Sequence, residues 1–207
     1  MLKDHPIFLE SIEFIRSRLG PHSFNNLETK VLERLIHTSG DFQIKDLLQF
    51  SENACEIAVK ACKLGSPILT DTEMAAAAIR SMAQNTNGNL VVSVRKWLNS
   101  ETKYTSTATA YGIEKAWLEL SKEYLGDSSP IVLIGSAPTA LQRLLDILET
   151  TKNKPSLIVG MPVGFIGVEH SKKRLTKSNY NYIVMGSTRG GASMVAATIN
   201  ALLRSSI

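Results

Sequence analysis

Aromatic residues are scarce, with Phe, Trp and Tyr making up 6% of the 207 residues. That disfavours a nucleic-acid surface built on base stacking. Charge agrees, since the formal net charge of +4 and the pI near 9.1 come from scattered Lys and Arg rather than a basic run. No stretch approaches the ~18 consecutive apolar residues of a membrane span, and the opening MLKDHPIF places a base and an acid ahead of any apolar run. The expectation is a soluble, untargeted cytoplasmic protein with neither nucleic acid nor membrane as partner. There are only two cysteines. Cys55 and Cys62 fall on one expected helix, separated by a rise of roughly 10 Å, too far for a disulfide. No further Cys or His stands at metal-ligand spacing, so no metal site is expected and both thiols read as small buried hydrophobes in a reducing compartment. Neither linker composition nor a repeat period divides the chain, and residues 1–207 read as one domain.

What is present is periodic. Phe8, Ile12, Ile15 and Leu19 recur at helical spacing over about residues 6–19, with Gly20 and Pro21 as a stop. Asn25 or Asn26 caps a second helix carrying the stripe Leu27, Val31, Leu32, Leu35 and Ile36, which Gly40 terminates. A third helix follows Ser51 as its N-cap and ends at Gly65, while 41–50 resists assignment. Five short apolar runs come next, at 68–69, 90–94, 131–134, 157–159 and 182–185. They lack alternation, as strands covered on both faces do, and most lead through a small or Gly-rich turn into a helix. The last helix spans roughly 192–204. The fold class that follows is α/β: a three-layer, flavodoxin-like, doubly wound domain with a mainly parallel five-stranded sheet.

Ligands of such sheets bind beyond the carboxyl ends of the strands, which directs attention to four loops: TDTEM (70–74), GSAPTA (135–140), GMPVGFIG (160–167) and GSTRGGAS (186–193). Their glycines and the helix starts beyond them suit carboxylate or phosphate. The last loop is neither GxGxxG nor a Walker pattern. Asp71 reads first as a helix N-cap. His170, within EHSKKR, reads as part of a solvated helix face. His37 lies off the apolar stripe in the last turn of its helix, where the helix dipole favours a cationic imidazolium. Spacing alone makes it a solvent-facing histidine near a helix end.

Six segments in order, SIEFIR (11–16), RLIHTSGD (34–41), GSPILTDTEM (65–74), IGSAPTAL (134–141), GMPVGFIGVEHSK (160–172) and RGGASMVAATINAL (189–202), resemble the precorrin-8X methylmutases of corrin biosynthesis over nearly the whole chain. The resemblance implies a cofactor-independent, homodimeric isomerase that moves a methyl group from C11 to C12 of a tetrapyrrole, precorrin-8X or its cobalt form. It implies His37 as the proton donor and acceptor and Ser11 as a substrate contact. Two departures stand out. Ser106 in TSTATA (105–110), and Gly186 and Thr188 in GSTRGG, occupy places where the family often has arginine. Guanidinium matches carboxylate bidentately, so the substrate contacts expected here shift to Arg16 and Arg189, with Asp71, Ser106, Gly190 and Gly191 beside them. Backbone donors at 135–137 and 190–193 complete the set. Two other readings compete: a non-catalytic tetrapyrrole-binding paralogue and a flavodoxin-like nucleotide binder.

Overall fold

The computed structural model describes residues 5–99 and 106–207. Helix α1 (Pro6–Leu19) starts on a proline, whose missing N–H costs nothing there, and buries Ile12, Ile15 and Leu19. Helix α2 (Asn26–Ser39) opens with a capping box, Asn25 accepting from Glu28 N–H and Glu28 accepting from Asn25 N–H. It closes on Gly40, left-handed at φ 68°, whose N–H returns to Ile36 O.

The chain continues through α3 (Ile44–Leu47), β1 (Leu48–Phe50) and α4 (Ala54–Lys63), then β2 (Ile68–Thr70), α5 (Glu73–Asn85) and β3 (Val91–Ser93). After a 3-10 turn over Val94–Trp97 come α6 (Ala108–Glu123), β4 (Ile131–Ile134), α7 (Pro138–Thr150), β5 (Leu157–Gly160), α8 (Val168–Thr176), β6 (Tyr182–Met185) and α9 (Ala192–Arg204). All five expected strands form. Among the described residues the sheet is nevertheless six-stranded and mixed, in the order β1-β6-β5-β4-β2-β3, because β1 adds antiparallel to β6 at one edge. The segment Leu48–Phe50 is too short to show a period, and its partners Ile183 to Met185 lie far along the chain.

Helices cover both faces. Ile131 and Leu133 of β4 enter one core with Leu32, Leu35, Ile79 and Ile199. Val132 and Ile134 enter the other with Ile113, Trp117, Leu144 and Leu148. This is the period of two of a strand buried on both sides. Cys55 and Cys62 are fully buried and unpaired, and burial pushes the Cys62 thiol up to about 12. Among the described residues no helix is long and apolar enough to cross a membrane.

Two caps differ from expectation. Asn53, left-handed at φ 55°, is the N-cap of α4, while Ser51 exchanges bonds with Tyr182 and extends the β1–β6 pairing. Thr72, accepting from Ala75 N–H at 3.3 Å, is the N-cap of α5 in place of Asp71.

Candidate active site

The end of α2 and the middle of α1 meet at a polar contact. Ser11 Oγ lies 2.8 Å from His37 Nδ1, across 26 residues of sequence. Phe8, one turn earlier on α1, sets its ring edge-on to the imidazole at 5.1 Å between centroids. The stripe at Val31, Leu32, Leu35 and Ile36 fixes α2 on the core and leaves His37 exposed. With Nδ1 engaged by the serine, Nε2 is the nitrogen left to act on a ligand.

Beyond His37 the chain turns at Gly40, and Ser39, Asp41 and Ile44 line a cavity of 380 Å³. Its other walls come from the loops after β5 and β6: Val163, Gly164 and Phe165 on one side, Thr188, Arg189 and Gly190 on the other. Backbone contacts hold these loops together, Gly164 N–H donating to Thr188 O at 3.2 Å and Gly191 N–H to Met161 O at 2.9 Å. Gly190 has φ 156°, and a Cβ there would stand 1.9 Å from Met161 O, so only glycine fits. A larger cavity of 800 Å³ lies between α7 and α8, against the other core. Of the residues singled out above, only His170 lines it, exposed on α8 as expected of a solvated face.

The structure gives several candidates a different employment from the expected one. Asp71 is 1% exposed, and its carboxylate accepts from Gly135, Ser136 and Ala137 N–H at 3.1, 2.6 and 3.0 Å. It thereby fills the crevice between β2 and β4 and occupies the 135–137 donors expected for substrate. Burial pushes its carboxyl up, against the three N–H bonds that pull it down. Arg16 forms a two-bond pair with Glu33, which is 3% exposed, at 2.6 and 3.0 Å. It lines a separate 340 Å³ cavity with Phe8, Arg34 and Arg204. Arg189 reaches across to Asp41 and to Gln43 Oε1. Gly191 N–H is taken by Met161 O. Ser106 is exposed and bonds only to the neighbouring Thr107 O, at 3.5 Å, among the contacts of the described residues. Thr105, at the start of that segment, lies outside the described residues. Sequence reasoning missed Lys172, buried on α8, which donates to Ser187 O and Arg189 O at 2.8 and 2.5 Å. The lysine lies in a quoted motif, but nothing in EHSKKR marks which of its cations turns inward.

Residues 6–205 match the family model described as precorrin-8X methylmutase. A cobalt-precorrin-8 methylmutase of Leptospira interrogans is 31% identical over 203 residues, 94% of this chain and 90% of that protein. A precorrin-8X methylmutase of Pseudomonas aeruginosa is 33% identical over 200 residues, 95% and 93% of the two chains. Among solved structures, the precorrin-8x methyl mutase from Thermus thermophilus superposes with a TM-score of 0.86 at 33% identity, over 97% of this chain and 95% of that one.

Proposed function

The chain belongs to the precorrin-8X methylmutase family, and on that premise we propose that it is an isomerase of corrin ring biosynthesis in which His37 supplies the proton. The substrate is precorrin-8X or its cobalt form. A methyl group leaves C11 and enters C12, giving the hydrogenobyrinate or cobyrinate skeleton. The observation that carries the assignment to His37 is the Ser11 Oγ to His37 Nδ1 contact at 2.8 Å. In the imidazolium, Nδ1–H donates to Ser11 Oγ and Nε2–H remains to protonate or hydrogen-bond the ring C nitrogen, polarising the conjugated system for migration. The reaction is an isomerisation, so the proton returns to Nε2 once the methyl group has moved. Because the migrating group and its acceptor carbon belong to one molecule, the protein has no second reactant to assemble.

In this reading the 380 Å³ cavity beside α2 receives the part of the macrocycle next to His37, with Arg189 and Gly190 in its carboxylate-facing wall and Gly191, next in the chain, holding the loop through its N–H to Met161 O. Ser106 belongs to the outer contacts of the macrocycle, while Arg16, paired with Glu33, lines the separate 340 Å³ cavity. Asp71 acts indirectly, by holding the loop after β4. The proposal keeps a flavodoxin-like core within the mixed sheet, and the strand order β3-β2-β4-β5-β6, taken without β1, supports that reading. A homodimer and a cytoplasmic setting complete the proposal. Two unpaired buried cysteines suit a reducing compartment, and light scattering that gave an active monomer would reject the dimer.

The test is His37→Ala with substrate conversion followed by absorbance. Turnover should fall by about 10²- to 10⁴-fold, with product affinity kept within about tenfold, since the proton acts on the transition state. Near wild-type turnover would sink the assignment.

A further inference from the structure

Among the described residues, the donors singled out for a substrate carboxylate are mostly engaged within the protein already. The 135–137 N–H groups serve Asp71, Gly191 N–H serves Met161 O, Arg16 serves Glu33, and Arg189 serves Asp41. Lys172 shows what remains. Its side chain is buried, its Nζ donates to Ser187 O at 2.8 Å and Arg189 O at 2.5 Å, and a methionine would fill similar volume without the cost of a buried charge.

In a trans peptide the C=O and the following N–H point in opposite directions, and no peptide of the described chain is cis. With the carbonyls of Ser187 and Arg189 drawn onto Nζ, the N–H groups of Thr188 and Gly190 face away from the lysine. Thr188 and Gly190 both line the 380 Å³ cavity, and among the bonds of the described residues neither N–H has an acceptor. Ser187 holds φ 58°, a left-handed conformation uncommon outside glycine, which the lysine bond helps to fix. The ammonium behind the loop also aligns both peptide dipoles with their positive ends away from itself.

We infer that Lys172 is a positioning residue of the reaction site, aiming the Thr188 and Gly190 N–H groups at a carboxylate of the macrocycle where arginine is absent from 186 and 188. The inference rests on the isomerase reading. Two N–H donors on one carboxylate would stand in for the two bonds of a guanidinium, with the charge one peptide further back.

Calorimetric titration with metal-free hydrogenobyrinic acid and with its fully methyl-esterified form tests it, in wild type, in Lys172→Met, and in a chain whose Thr188 N–H is replaced by an ester oxygen through the α-hydroxy analogue. Each change should weaken acid binding by about tenfold or more. KM should rise by a similar factor while kcat stays within about threefold. The decisive readout is non-additivity: esterifying the ligand should cost wild type more affinity than it costs either variant. If Lys172→Met does not fold, the ester chain decides alone. Equal ester penalties in all folded chains, or variants within about twofold of wild type on the acid, overturn the inference. Wild type that neither binds the acid nor turns over substrate overturns the isomerase reading itself and the inference with it.

Discussion

At the scale of single residues, position 37 shows how a side chain acquires a role from a neighbour remote in sequence. An exposed histidine near a C-cap is commonplace; one with Nδ1 fixed by a serine and its ring edge-packed on Phe8 is oriented. Ser11→Ala should therefore lower kcat by about tenfold, the equivalent of roughly one hydrogen bond, while changing product affinity and Tm little. Kinetics and calorimetry on the same preparation check this, and a loss confined to KM would place Ser11 on the substrate and not on the imidazole. The resemblance supplied Ser11 and His37 as a pair, but the bond between them became visible only once α1 and α2 were packed. Arg189 shows the converse. Its sequence context suggested a substrate contact, and folding set Asp41 opposite it.

At the scale of elements, α7 begins without a cap of its own. Ala137 offers no side-chain acceptor, and Pro138 at the first turn supplies no N–H. Asp71, at the end of β2, instead holds the loop that leads into α7, accepting the N–H groups of Gly135, Ser136 and Ala137 just ahead of the helix. Asp71→Ala leaves those donors without a partner in a nearly closed space and should destabilise the protein by about 3 kcal/mol or more, read as a lowered urea midpoint with unchanged slope. A change under ~1 kcal/mol would show that water replaces the carboxylate. Caps that are local in sequence were legible: the Asn25–Glu28 box and Gly40 follow from residue type and spacing. Those that depend on a strand elsewhere were not, which is why Ser51 and Asp71 were misread as caps of their own helices.

At the scale of the whole molecule, Lys172 couples global stability to pH. Burial lowers its ammonium from the ordinary 10.5 to about 8. Between those values the unfolded chain binds the proton that the folded chain has released, so stability rises with pH across the window, and below 8 the cost of the buried charge is present in full. The difference is at most about 3 kcal/mol, since the two carbonyl bonds favour the charged form and oppose part of it. Wild type should gain urea stability relative to Lys172→Met from pH 8 to 10.5, the other lysines cancelling in the comparison. A constant difference through that range would show that Lys172 is not shifted. By itself the sequence determined the α/β class, the bounds of α1 and α9, the positions of the five parallel strands and the buried cysteines. All of these follow from apolar periodicity, Gly and Pro punctuation and residue size, which act over a few residues at a time. Only the tertiary structure decided that Leu48–Phe50 adds a sixth strand, that Asp71 closes the crevice between β2 and β4, and that Lys172 turns inward beneath the loop after β6. Each of these depends on a backbone partner distant in the chain, and neither residue type nor spacing records which carbonyls and N–H groups will be left facing one another once the layers have packed.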